Sequence, residues 1–183
     1  MIDIETLGKT PDAVITSIAA GRFDIETGAL EDIFYQCIDW QNQPGRIIDA
    51  TTVQWWFRQD EDARLTLSAS VGIQLGIALE LLRKFIEKTG LGKEEIIWVN
   101  GPEFDISILT NAYQNDPLNK QVNNGHTPWE FWNTRDCRTM RAVTKGIVDK
   151  NDFNRGQEHD ALDDVKFQIQ YVSAMWQALR AEK

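Results

Sequence analysis

The alternation of apolar and polar positions divides the chain into strand-like runs first and segments of helical period later. Ala13 to Phe23 (AVITSIAAGRF), rich in β-branched and small residues, predicts a strand, and a second run follows at Ile33 to Ile38. Between them, Asp24 to Gly28 has the polar and glycine content of a hairpin turn. A helix is predicted from Asp49 or Thr51, with threonine as the cap before VQWWFRQ. Ile73 to Lys88 repeats its apolar residues at three- and four-residue spacing and stops at Thr89-Gly90, as an amphipathic helix does.

Further on, Ile96 to Val99 predicts a short buried strand and Phe104 to Gln114 a helix. Asn115 to Pro128 is polar and rich in breakers and predicts a long loop, and Arg135 to Lys145 a strand end with a short helix. Asp160 to Arg180 carries one apolar stripe through Ala161, Val165, Ile169, Val172, Trp176 and Leu179. Strands first, then strands alternating with helices, predict an α/β domain whose mixed sheet is covered by helices on both faces.

Composition narrows this picture. A length of 183 residues suits one domain, residues 1–183, and 42% hydrophobic with 26% charged residues is a globular balance. No apolar run approaches the ~18 residues of a membrane span, and no signal-peptide pattern opens the chain. Cys37 and Cys137 are too few and too far apart for a disulfide framework or a metal-ligand pair, so a reducing, cytoplasmic setting is expected. The 19 Lys+Arg against 28 Asp+Glu give a net charge of −9, which taken alone disfavours nucleic acid as a partner.

Three separated segments nevertheless gather acids. In Asp3-Ile-Glu5-Thr6 the two carboxylates lie two residues apart, so in a strand they project to one side. A solvated strand face would look the same. In Asn100-Gly-Pro-Glu-Phe104-Asp105 a strand ends in a Gly-Pro turn and an acid opens a helix, where it also suits the helix dipole. In His159-Asp-Ala-Leu-Asp-Asp164, Asp164 borders the apolar stripe and can face inward. His159 lies five residues earlier, about 140° away on an ideal helix, and reaches the same place only from the preceding turn. Asp3, Glu5, Asp105 and Asp164 together would repel one another unless cations lie between them. Hard carboxylate oxygens suit Mg²⁺, with Mn²⁺ as a substitute, and His159 beside them suits a general base.

These segments, in this order, resemble the three signatures of the DEDDh family of 3′–5′ exonucleases. DIET stands at residues 3–6, N-x-x-x-F-D at 100–105 and H-x-A-x-x-D at 159–164. The tyrosine-type branch would place Tyr at position 160, which is Asp here. The resemblance implies a ribonuclease H-like fold with a mixed five-stranded sheet and helices on both faces. It implies two Mg²⁺ ions held by Asp3, Glu5, Asp105 and Asp164, with His159 as general base. Thr6 and Leu7 would meet the terminal nucleotide, Leu7 packing on its base, and Asn100 and Phe104 complete the matched motif. The partner implied is the 3′ end of single-stranded nucleic acid, and a homodimer is compatible. Residues 52–59 and 135–139 look like segments of the bacterial and phage branch that includes RNase AS and exodeoxyribonuclease VIII-like proteins, which leaves RNA or DNA open. Only Met1 and Ile2 precede Asp3, so either a first strand short at its start or a trimmed sequence is expected.

Trp55 and Trp56 lie about 100° apart on a helix, so one can pack inward and the other reach a cleft, Trp56 being a candidate substrate contact. Residues 135–158 are net +2 against −11 for the remainder, and Arg135, Arg138 and Arg141 recur every three residues. Arg138 is the candidate phosphate contact, with a solvated helix face as the alternative. The rival function is a catalytically weak nucleic-acid-binding or assembly module that keeps the fold.

Overall fold

A computed structural model describes residues 1–68, 72–91 and 94–181. Three antiparallel strands come first: β1 (Ile2–Thr6), β2 (Ile15–Phe23) and β3 (Leu30–Cys37), in the order β1-β2-β3. The β2–β3 turn is closed by Gly28 donating to the Asp24 carbonyl at 2.8 Å. Gly28 has φ +73°, and a Cβ there would lie 3.3 Å from Ser173. Helices α1 (Ala50–Trp56), α2 (Glu61–Ser68) and α3 (Leu75–Glu87) follow. Next come β4 (Ile97–Val99), α4 (Asp105–Asn115), α5 (Pro117–Asn123), β5 (Thr134–Asp136), α6 (Cys137–Val143) and the long α7 (Ala161–Ala181). No helix is long and apolar enough to cross a membrane, among the described residues.

The five expected strands are present, but not as one sheet. β4 and β5 form a separate parallel pair, Ile97 opposite Thr134 and Val99 opposite Asp136. A local reason is visible at the edge of β1. Met1 and Gly21 exchange both backbone hydrogen bonds, at 2.8 and 2.9 Å, which fixes the alternation along β1. The N–H of Ile4 therefore points away from β2, and it donates to the carboxylate of Asp105 rather than to a strand.

Helices cover both faces, as expected. Ile2, Ile4, Ile15 and Ile18 pack against Leu79 and Leu82 of α3 and Ile108 and Leu109 of α4. On the other face Met1, Ala19 and Trp98 meet Val165, Ile169 and Val172 of α7. Burying each such large aliphatic side chain contributes roughly 1.5–3 kcal/mol. The α7 stripe holds through Val172. Met175 then takes the buried place, and Trp176 is half-buried with its indole N–H donating to Glu26 at 3.1 Å.

Two helical assignments differ from expectation. The long loop at 115–128 contains α5, because Asp116 accepts from the Asn119 N–H at 2.9 Å, Pro117 occupies the first turn, and Asn124 ends it in the left-handed region. The cap of α1 is Asp49, which accepts from the N–H of Thr51 at 2.7 Å, rather than a threonine.

Candidate active site

The pleat of β1 turns Ile2 and Ile4 into the α3–α4 core and leaves Asp3 and Glu5 on the α7 side. Asp164, in the first turn of α7, faces them, and Gln168 one turn later donates its amide to Asp3 Oδ1 at 2.7 Å. Asp105 opens α4 and is 4% exposed, its carboxylate held by the N–H of Ile4 and by its own N–H. All four carboxylates line one cleft of about 710 Å³, and His159 lines it too. The tightest grouping is Glu5, His159 and Asp164, whose ligand atoms all lie within 4.8 Å of one another.

Burial dominates the electrostatics. It pushes the Asp3 carboxyl well above the usual carboxylate range, reinforced by Asp105, Glu5 and Asp164 and opposed by the Gln168 hydrogen bond. Glu5 is raised in the same way by burial and then by Asp164, Asp105 and Asp160. Burial pushes Asp105 up to about 7 despite its backbone hydrogen bonds. Asp164 is raised by burial against the pull of Arg155, which donates to it at 3.2 Å. Four acids that resist ionising together, three buried and Glu5 half-buried, are a donor set a divalent cation fits, since its charge stabilises the anions that burial disfavours.

His159 comes from the turn before α7, in a left-handed conformation with φ +64°. Asp160 caps the helix behind it, accepting from the N–H groups of Leu162 and Asp163 at 3.0 and 3.1 Å. The approach is equally constrained. Gly156 has φ +68°, and a Cβ there would lie 2.8 Å from Asp163, whose carboxylate also accepts from the Gln157 N–H at 3.0 Å. The Gln157 side chain reaches across to Asp60, in the turn before α2. The imidazole lies edge-on to Trp55, with ring centroids 4.7 Å apart.

Among the expected substrate contacts, Thr6, Asn100, Phe104 and Arg138 all line the cleft. Asn100 accepts from the Tyr171 hydroxyl at 3.0 Å, and Arg138 lies over Gly101, 3.4 Å from where a Cβ would be. Leu7 departs from expectation: it is 4% exposed and packs with Val14, Trp56 and Ala63, away from the cleft. Trp56 also departs. It is 3% exposed at the cleft floor, its indole donating to the Thr6 carbonyl at 2.9 Å, whereas Trp55 is 41% exposed and carries the accessible ring.

Sequence reasoning does not single out Lys9 and Arg58, which line the cleft from the loop after β1 and the end of α1, or Arg155 beside Asp164. Nor does it single out Gln168, although a residue four positions after Asp164 shares its helix face. Of the three evenly spaced arginines, Arg135 is turned to its own backbone, donating to the Trp132 and Thr134 carbonyls.

Comparison with known proteins agrees with this geometry. The chain is 24% identical over 216 residues to an exodeoxyribonuclease of Enterobacteria phage T4, an alignment covering all of this chain and 94% of the phage protein. The crystal structure of cell-death related nuclease 4 (CRN-4) shares the fold with a TM-score of 0.51 at 12% identity. That match covers 99% of this chain and 62% of the nuclease. The fold is thus mixed α/β and ribonuclease H-like, with its strands divided three and two. The model of the 3′–5′ exoribonuclease Rv2179c-like domain matches residues 1–176, and the chain belongs to that family.

Proposed function

We propose that the cleft hydrolyses the phosphodiester at the 3′ end of single-stranded nucleic acid and releases nucleoside 5′-monophosphates. The observation that carries this reading is the convergence of Asp3, Glu5, Asp105 and Asp164 with His159 in one cleft. Asp3, Glu5, Asp105 and Asp164 would hold two Mg²⁺ ions, Mn²⁺ substituting, which supply Lewis acidity and charge neutralisation at the phosphate. His159 takes a proton from the attacking water as its oxygen bonds to phosphorus. The bond from phosphorus to the 3′-oxygen breaks, and that oxygen leaves on the shortened strand and is protonated from solvent.

The remaining residues bind and orient. Arg138, Lys9 and Arg58 supply positive charge for phosphate oxygens, and the exposed Trp55 ring offers a stacking face beside His159. Thr6, Asn100 and Phe104 shape the wall that receives the terminal nucleotide. A cleft of about 710 Å³ lies within the usual range of small-ligand sites, ~300–1,000 Å³, which suits a terminal unit separated from its neighbours rather than a duplex.

The test is digestion of matched 3′-labelled RNA and DNA single strands with Mg²⁺ or Mn²⁺, followed by product analysis. Stepwise shortening with nucleoside 5′-monophosphates supports the reading, and the ratio of the two rates assigns the sugar. If both strands stay intact, the enzyme reading fails.

A further inference from the structure

A second basin, of about 790 Å³, adjoins the cleft. Arg138, at the start of α6, lines both. Beyond Arg138 the basin is lined by Arg141, Lys145 and Lys150. Residues 138, 141 and 145 follow one another at helical spacing along and just past α6.

Several cations of this chain are neutralised within it. Arg83, Lys84, Lys88, Lys166 and Arg180 each pair with a carboxylate. Arg141, Lys145 and Lys150 have no ion-pair partner among the described residues. Two acids, Asp149 and Asp152, share the rim, which leaves the four cations Arg138, Arg141, Lys145 and Lys150 in excess. On a chain of net charge −9, a group of cations without ion-pair partners is a local positive surface suited to attracting an anion. Ile147, 49% exposed, adds an apolar surface in the same basin.

We infer that this basin is the track for the 5′-ward part of the substrate strand, with Arg141, Lys145 and Lys150 meeting the backbone phosphates upstream of the scissile one. The inference rests on the exonuclease reading for its direction. With the 3′-terminal nucleotide in the cleft, the rest of the strand leaves past Arg138, and the basin is the cationic surface next in line. From 138 to 145 a helix rises about 10 Å, enough for one to two nucleotide steps. The surface is thus a length sensor: a strand too short to reach it is held by the cleft alone.

The experiment compares the parent with the combined variant Arg141→Gln, Lys145→Gln, Lys150→Gln. Binding of 5′-fluorescein strands, one of about a dozen nucleotides and one trimer, is read by anisotropy in a His159→Ala background, and hydrolysis is read in the otherwise native chain. The expected result is at least a tenfold weaker affinity and a matching rise in KM for the long strand, with the trimer within twofold. The salt dependence of long-strand binding should flatten by about 1–2 in log–log slope, at ~0.7 for each phosphate no longer neutralised. Unchanged long-strand binding, or equal loss for the trimer, overturns the track. A parent chain that shortens neither RNA nor DNA, yet binds the long strand through these three residues, overturns the exonuclease reading and keeps the surface.

Discussion

Gln157 Nε2 lies 2.9 and 3.0 Å from the two carboxylate oxygens of Asp60, a contact that joins residues 97 apart in sequence. It ties the loop carrying His159 to the turn before α2, so the imidazole is positioned from both sides of the cleft. Asp60 has a second duty, accepting from the Ala63 N–H at 2.9 Å at the start of α2. Gln157→Ala is therefore the cleaner probe. It should lower kcat about tenfold with KM nearly unchanged, since a misplaced catalytic group costs rate before binding. Gln157→Glu, which sets two carboxylates face to face, should lose more. Equal kcat in all three proteins would remove the positioning role.

His159 and Asp3 should separate chemistry from cation holding. Loss of a general base costs roughly 10²–10⁴-fold, so His159→Ala should fall by that much while calorimetry still detects Mn²⁺ binding. Asp3→Asn should lose both activity and most of the Mn²⁺ signal, because the Asp3 carboxylate interacts with all three of the other acids, Asp105, Glu5 and Asp164. Equal loss of Mn²⁺ in the two variants contradicts the assigned roles.

The buried acids imply a pH dependence of stability with a definite sign. An acid that holds its proton more tightly in the folded chain makes the fold lose stability as pH rises from the unfolded pKa to the folded one. For Asp105 that window runs from 3.8 to about 7, and Asp3, Glu5 and Asp164 are shifted the same way. With chelator present, Tm should therefore decline across this range. Mg²⁺ or Mn²⁺ should raise Tm more at pH 8 than at pH 5 if they neutralise the same carboxylates. A flat Tm in chelator would remove this account of the acidic group.

The two neighbouring tryptophans should fail differently. Trp55→Ala removes an exposed ring, and a stacking loss of about 1–3 kcal/mol should appear as a raised KM with Tm little changed. Trp56→Ala empties a buried site and leaves the Thr6 carbonyl without its indole donor, costing about 3–5 kcal/mol in stability. Denaturant unfolding and steady-state kinetics on both variants distinguish the two.

Much of the site is legible in the amino-acid order because its motifs are local: an alternating strand, a strand-to-helix turn and a helix start each reveal their acids by spacing. What spacing does not reveal is helical phase. Trp55 and Trp56 are equivalent by pattern, and only the folded chain shows Trp56 inside, packed with Leu7, Val14 and Ala63 and donating to the Thr6 carbonyl. Leu7 is placed at the nucleotide by the resemblance alone, and the apolar cluster that buries it draws on Val14 and Ala63, too distant in sequence for any local pattern. Helix α5 escapes a reading by composition although Asp116-Pro117 is a cap followed by a first-turn proline, because the polar content of residues 115–128 outweighs that short signal. Gln157 and Asp60 bear no motif, and only the folded chain brings them together.

The Ile4 amide that Asp105 receives has a mechanical consequence. The three-stranded and two-stranded sheets meet at β1 and β4, and along that seam a catalytic-type carboxylate stands in for a strand. Whatever changes the charge on Asp105 therefore pulls on the joint between the sheets as well as on the cleft. Hydrogen exchange at the Ile4 amide becomes a gauge of the site, slow while the carboxylate is ionised and held, faster when it is protonated or removed. The seam between the two sheets and the acidic cleft thus share one residue, Asp105.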